Sequence, residues 1–263
     1  MIRRIFAVVS LWATFVSPTI AKNPTCVALS DTVTVEFTDT TVTTTTVTTS
    51  STTGFSTESA TTTDPKELIA ACDRMLEKEP HYTEVRLHRA SLYQWIGEDE
   101  KALSDYNIIL DEHPNHVEAL LFRADIYRRM RNYRNARSDY ERIIQIQPNN
   151  LKACLGLVIT NDANGRPKEA MDQINTIVEI FPDEALAYLI RGEMFMKRGM
   201  YPQAIMDFDE SIRLDDTNAD AYISRGMYYK RLNKKSMAKD DFRRAVELGA
   251  DANYVYSLLK QLR

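Results

Sequence analysis

The sequence predicts an all-α protein, an α-solenoid of five 34-residue helix–turn–helix units with a half-unit before them and one further helix after them. Three observations predict it. The stretches AYLIRGEMFMKRGMYPQAIMDF and AYISRGMYYKRLNKKSMAKDDF begin 34 residues apart, at Ala187 and Ala221, and carry Ala-Tyr, Arg-Gly and Asp-Phe at matched places. From Thr83 the same period runs without a gap through residues 83–116, 117–150, 151–184, 185–218 and 219–252. Prolines recur on it at positions 80, 114, 148 and 182.

Residues 1–21 read as a secretory signal peptide. Arg3 and Arg4 precede an apolar run from Ile5 to Val16, and Thr19-Ile20-Ala21 follows Ser17-Pro18 as a small-residue cleavage site. The run is about half the length of a membrane-spanning helix, and no later segment is long enough. The expectation is an exported, water-soluble chain with no integral membrane segment, in the periplasm or at the cell surface or secreted.

Residues 22–64 are dominated by Thr and Ser, with almost no large apolar side chain. Such a tract buries too little surface to offset its ordering entropy, so a disordered linker is expected, compatible with an O-glycosylated stalk. Val33, Val35 and Phe37 alternate with polar residues and allow one short strand. Proline blocks the Asn23-Pro24-Thr25 glycosylation site. Cys26, Cys72 and Cys154 are odd in number and widely scattered, and all three are expected to be free thiols.

Residues 65–82 form the half-unit. Asp64, Pro65 and Glu67 supply an N-cap, a first-turn proline and a reciprocal acid. The helix they start is expected to run to about Glu79, as the second helix of a unit. Its missing partner would lie in the Thr-rich tract, which is a poor helix former.

Within residues 83–252 the periodic columns justify the helix pairs. The eighth place of each unit holds Ala90, Ala124, Val158, Gly192 or Gly226, and the twentieth is always alanine. The eleventh holds Tyr93, Tyr127, Asn161, Phe195 or Tyr229, and the twenty-fourth Tyr106, Tyr140, Ile174, Phe208 or Phe242. Small residues let two helices approach, and large rings fill the space beside the contact. The prolines stop each second helix. In residues 253–263, Val255, Leu258, Leu259 and Leu262 make one apolar stripe at helical spacing, as a C-terminal capping helix would.

The seventh place holds Arg89, Arg123, Leu157, Arg191 or Arg225, and the twenty-third Asp105, Asp139, Gln173, Asp207 or Asp241. The one unit without Arg is also the one without Asp. Covariation among copies predicts an ion pair tying the two helices of each unit. A row of ligand-binding arginines would not need the matching acids. The third unit, with Asn161 in an aromatic place and Asn164-Gly165 as a breaker, is expected to be the weakest.

This period and these columns resemble the tetratricopeptide repeat, over residues 83–252 and the preceding half-unit. The resemblance implies a right-handed solenoid whose first helices line a concave groove, with the second, fifth, ninth, twelfth and thirteenth places facing it. It implies a peptide-binding surface of Leu87, Leu121, Leu155, Leu189 and Ile223 as an aliphatic floor. Walls would come from Ser91, Asp125, Ile159, Glu193 and Met227, from Gln94, Arg128, Met196 and Lys230, and from Trp95, Arg129, Lys197 and Arg231. Asp162 also falls in the twelfth column. Trp95 is a candidate anchor. Repeats of this family that grip chaperone C-terminal carboxylate tails use Lys and Asn at the fifth and ninth places, where this chain has Leu87 and Ser91, so that partner is not expected. The form AYxxRG with its paired Asp resembles bacterial, exported members of the family.

The net charge of −4 becomes −6 once residues 1–21 are removed, which gives no global attraction for nucleic acid or an anionic membrane. The run RRMRNYRNARSDYER concentrates Arg128, Arg129, Arg131, Arg134, Arg137 and Arg142, but Tyr133 and Tyr140 sit among core columns. A solvated, partly ion-paired surface is the reading. His113 and His116 lie in an inter-repeat turn, and with His88 a unit-length helix away no metal site is expected. No phosphate loop, nucleophile elbow or Cys/His arrangement is present. The expected function is non-catalytic: a scaffold or adaptor, without cofactor, that binds a peptide or protein segment outside the cytoplasm. A surface-displayed structural or adhesion module on a glycosylated stalk is the alternative.

Overall fold

The computed structural model describes residues 64–262. The signal segment 1–21, the Thr-rich tract up to residue 63 and Cys26 lie outside the described residues. Among the described residues there are twelve α-helices and no strand. They fall into two compact units, one ending at Arg131 and the other beginning at Asn132.

The first unit holds α1 (Pro65–Lys78), α2 (Thr83–Trp95), α3 (Asp99–Glu112) and α4 (Val117–Arg129). α1 starts where Asp64 accepts the Lys66 amide at 2.9 Å with Pro65 in the first turn, and ends on the cap Glu79 just ahead of Pro80. Its apolar face, Leu68, Ile69, Cys72 and Leu76, packs with Val85 and Leu92 of α2, and Met75 and Tyr93 lie against that cluster. Further along, the Tyr106 ring of α3 stacks on Phe122 of α4 with centroids 5.9 Å apart.

The second unit holds α5 (Tyr133–Ile146), α6 (Leu151–Ala163), α7 (Pro167–Ile180), α8 (Ala185–Lys197), α9 (Tyr201–Leu214), α10 (Ala219–Arg231), α11 (Lys235–Glu247) and α12 (Ala252–Lys260). Consecutive helices pack pairwise, and α8 also touches α10. This is the arrangement of an all-α repeat solenoid. Asn150 and Asn218 cap α6 and α10 by accepting backbone amides two or three residues on. At the far end Asp251 caps α12, whose Val255 and Leu258 are buried together with Leu262, while Leu259 is half-buried.

The column of alanines at 102, 136, 170, 204 and 238 is fully buried, as are Tyr106, Tyr140, Ile174, Phe208 and Phe242. At Gly156 and Gly226 the facing rings leave no room for a methyl group unless they shift. A Cβ on Gly226 would stand 2.6 Å from the Phe242 ring, and one on Gly156 would stand 2.5 Å from Tyr140.

Each turn from a first to a second helix passes through a left-handed residue, and these recur every 34 positions: Gly97, Arg131, Gly165, Gly199 and Asn233. Glycine and asparagine accept this conformation readily, whereas Arg131, at φ 60°, carries the steric cost of its Cβ. Arg131→Gly is therefore expected to stabilise the protein by about 1 kcal/mol, the relief of the left-handed strain less the added chain entropy. Urea unfolding followed by circular dichroism checks this, and an unchanged or lowered midpoint would count against the strain.

Candidate functional site

The arginine column builds the most regular polar feature of the fold. Arg89 grips Asp105 with two hydrogen bonds, Nε to Oδ2 at 2.8 Å and Nη2 to Oδ1 at 2.6 Å, and so ties α2 to α3. Arg191 grips Asp207 in the same way at 2.8 Å twice, and Arg225 grips Asp241 at 2.9 and 2.8 Å. These forked pairs match the guanidinium to the carboxylate in one plane. Hydrogen bonding to the aspartates, opposed by burial, holds all three guanidinium pKa values above the usual range. Asp105 receives a second arginine as well, Arg86 Nη1 at 3.4 Å. Arg123 lies in the first compact unit of the fold and Asp139 in the second.

Sequence reasoning missed the other half of the clamp. The remaining Nη1 of each arginine reaches 16 residues back, to the preceding second helix: Arg89 to Asp73 at 2.6 Å, Arg123 to Asn107 at 2.8 Å, Arg191 to Asn175 at 3.4 Å and Arg225 to Asp209 at 2.8 Å. The signal was there to read. Every one of those arginines has an Asp or Asn 16 positions earlier, whereas Leu157 has Glu141, which turns instead to Arg137 at 2.6 Å. Aromatic rings flank the guanidinium groups, with Arg191 over Tyr188 and Phe195 at 5.5 and 5.9 Å and Arg225 over Tyr222 and Tyr229 at 5.6 and 6.0 Å. Where Leu157 and Gln173 replace the pair, Asn161 donates from Nδ2 to Gln173 Oε1 at 3.0 Å, and its own Oδ1 is buried without a hydrogen-bond partner.

The expected groove residues divide. Leu87, Leu155 and Leu189 are buried, so this column is helix packing rather than an open floor. Leu121 and Ile223 are half-buried. Asp125 and Arg128 are not walls either. They are 2% and 9% exposed and face each other one helical turn apart, with Nη2 3.6 Å from Oδ1, because opposite charges at that spacing bury together. In the same unit Gln94 accepts the Tyr106 hydroxyl at 2.7 Å, and Ser91 bonds back to the His88 carbonyl. Arg129 pairs with Asp99 at 2.7 Å. Trp95 is 55% exposed.

In the second unit the polar columns make cross-links to neighbouring elements. Lys197 Nζ lies 3.2 Å from Asp162, which also takes Arg198 at 2.8 Å. Ser224 donates to Glu193 at 2.8 Å, and Lys230 donates to Gln261 at 2.6 Å. Arg231 donates to the Tyr201 hydroxyl. Glu193, Lys197 and Lys230, expected as groove walls, therefore also tie helices together. Between them Ile159, Met196 and Met227 stay half-buried. Burial pushes the Glu193 and Asp220 carboxyls up, the Ser224 hydroxyl opposing it at Glu193.

The turn histidines are structural. His116 Nδ1 accepts the Ala119 amide at 3.2 Å as a helix cap, and His113 ends α3. Among the described residues, no three His, Cys, Asp or Glu side chains are grouped so as to hold a metal ion.

Models of the tetratricopeptide repeat match residues 97–150, 127–192 and 219–250. Among solved structures, the chain is similar to a tetratricopeptide repeat protein from Parabacteroides merdae, at 28% identity and a TM-score of 0.70, over 75% of this chain and 77% of that one. It shares its fold with a thermophilic tetratricopeptide-repeat protein of Thermus thermophilus, at 16% identity and a TM-score of 0.62, over 68% and 98% of the two chains. No curated protein matches the chain in sequence at a significant level. Period, helix pairing, family models and solved relatives agree, and the chain belongs to the tetratricopeptide-repeat family.

Proposed function

We propose that the protein is a non-catalytic interaction scaffold that holds a peptide or protein segment across the face formed by α6, α8 and α10 in its second unit. One observation carries this reading. Ile159, Met196, Ile223 and Met227 share the face of these helices that the fifth, ninth and twelfth places define, and they stay partly open to solvent between the charged ends of Glu193, Lys197 and Lys230. An apolar strip with charged borders suits an extended or helical segment, and flexible methionines adapt to varied side chains. The repeat fold supports the same reading, because stacked repeats expose long continuous surfaces. The order of residues in 1–21, basic then apolar then small, supports a place outside the cytoplasm.

A photo-crosslinking amino acid at Met227 tests the face against one at Met206, which is exposed on the second helix α9. The reading expects a defined protein captured through position 227 in the native host and not through 206. Capture through 206 alone would move the interface off this face.

A further inference from the structure

The turn between α10 and α11 carries charge of one sign, as the run from Arg128 to Arg137 also does. Lys230, Arg231, Lys234, Lys235 and Lys239 fall within ten residues that hold no acid, although the chain as a whole carries −4. Every residue from Arg231 to Met237 is exposed, with two large apolar side chains, Leu232 and Met237, among the cations. Asn233 at φ 57° turns the chain sharply at the tip.

The contacts of three of these cations are with neutral groups. Lys230 donates to the Gln261 amide oxygen at 2.6 Å. Arg231 donates to the Tyr201 hydroxyl and lies 5.4 Å from that ring, and Lys234 lies 5.9 Å from the Tyr229 ring. The carboxylates nearest along α11 are engaged by other arginines: Asp240 by Arg243 and Asp241 by Arg225. The acids Asp215 and Asp216 stand at the opposite end of α10. Thirteen helical residues span about 20 Å, more than two Debye lengths at physiological salt, so those acids leave the field at the turn largely intact. One turn earlier in the same unit, Lys197 and Arg198 share the single carboxylate of Asp162 beside the exposed Met200.

We propose that this turn docks the protein onto an anionic lipid surface. The cations would lie in the headgroup layer, and Leu232 and Met237 would enter the boundary of the acyl chains. A tight turn whose side chains project around a sharp tip fits a plane better than it fits a peptide, which needs a groove to bury its own side chains. The attachment is peripheral, and among the described residues no helix is long and apolar enough to cross a membrane. The whole-chain charge gives no such attraction. The local excess of cations does.

The test is flotation of the full chain with phosphatidylcholine vesicles, with or without 30% phosphatidylglycerol. Three forms are compared: the natural sequence, Arg231→Gln/Lys234→Gln/Lys235→Gln, and Leu232→Ser/Met237→Ser, each checked for unchanged helicity. Binding to anionic vesicles only, falling with salt and weakened about 100-fold by the triple change, is expected from the contribution of each basic residue at such a surface. The Leu232/Met237 form should bind more weakly with its salt dependence kept. Equal binding by the triple variant would place the contact elsewhere in the chain, residues 1–21 included, and overturn the proposal. So would indifference to lipid charge, or an absence of vesicle binding. Binding of a labelled polyglutamate peptide through the same residues, with vesicles ignored, would overturn it in favour of an acidic protein partner.

Discussion

Arg191→Leu should cost about 3 kcal/mol of stability, and adding Asp207→Gln should return a substantial part of it. The single change strands a buried carboxylate that had accepted two charge-assisted hydrogen bonds, and removing one partner of such a pair costs roughly 3–5 kcal/mol against about 0–1 at the surface. The Arg191 side chain is about one-fifth exposed, which sets the expectation at the lower end. The double form copies the Leu157 and Gln173 found one helix pair earlier, a combination the protein already tolerates. Urea unfolding of the four forms gives the coupling. Losses that simply add would dismiss the pair as a stabilising unit.

Stability should also fall by about 2 kcal/mol between pH 7 and pH 5 through one side chain, His88. Burial pushes its imidazole from 6.5 down to about 4. The unfolded chain takes up a proton below pH 6.5 that the folded chain refuses until about pH 4, so this contribution is whole above pH 6.5 and drains as pH falls. By pH 4 the loss reaches about 3 kcal/mol, since each tenfold difference in proton affinity between the two states is worth about 1.4 kcal/mol. Glu193 and Asp220 act in the opposite sense. Their raised carboxyls make the folded chain the better proton acceptor in that range, so stability from them grows on acidification. The comparison therefore has to be made against His88→Leu, an apolar side chain where the next helix pair carries Phe122. The variant should lose this component of the pH slope, and an identical slope in both forms would exonerate His88.

The helices were legible because each depends on a column repeated down the chain. Ala102 and Tyr106 mean little alone, but their counterparts at 136 and 140, 204 and 208, and 238 and 242 leave one packing solution. The arginine–aspartate pairs were legible for the same reason, since Leu157 and Gln173 depart together. The face of the first helices was read less well. Assigning columns to the groove assumes that polar side chains there point to solvent. Glu193, Lys197 and Lys230 instead engage residues 31 or 35 positions away, and such contacts depend on helix spacing rather than on any single stretch of sequence. Asp125 and Arg128 were readable as a pair one turn apart. Arg131 was readable too, because it stands in a column that is glycine at 97, 165 and 199.

The clamp also bears on how such a chain can change length. Arg225 finds its backward partner, Asp209, by counting 16 residues toward the N-terminus, and its forward partner, Asp241, by counting the same number the other way. Excise residues 185–218 as a block, and Arg225 would meet Asn175 at that same count, the residue Arg191 now holds. Loss or duplication of one whole period leaves every guanidinium with a partner in reach, whereas an insertion of another size within a helix turns one partner away from the other. The bond that joins neighbours thus works as a ruler that growth by whole modules keeps true.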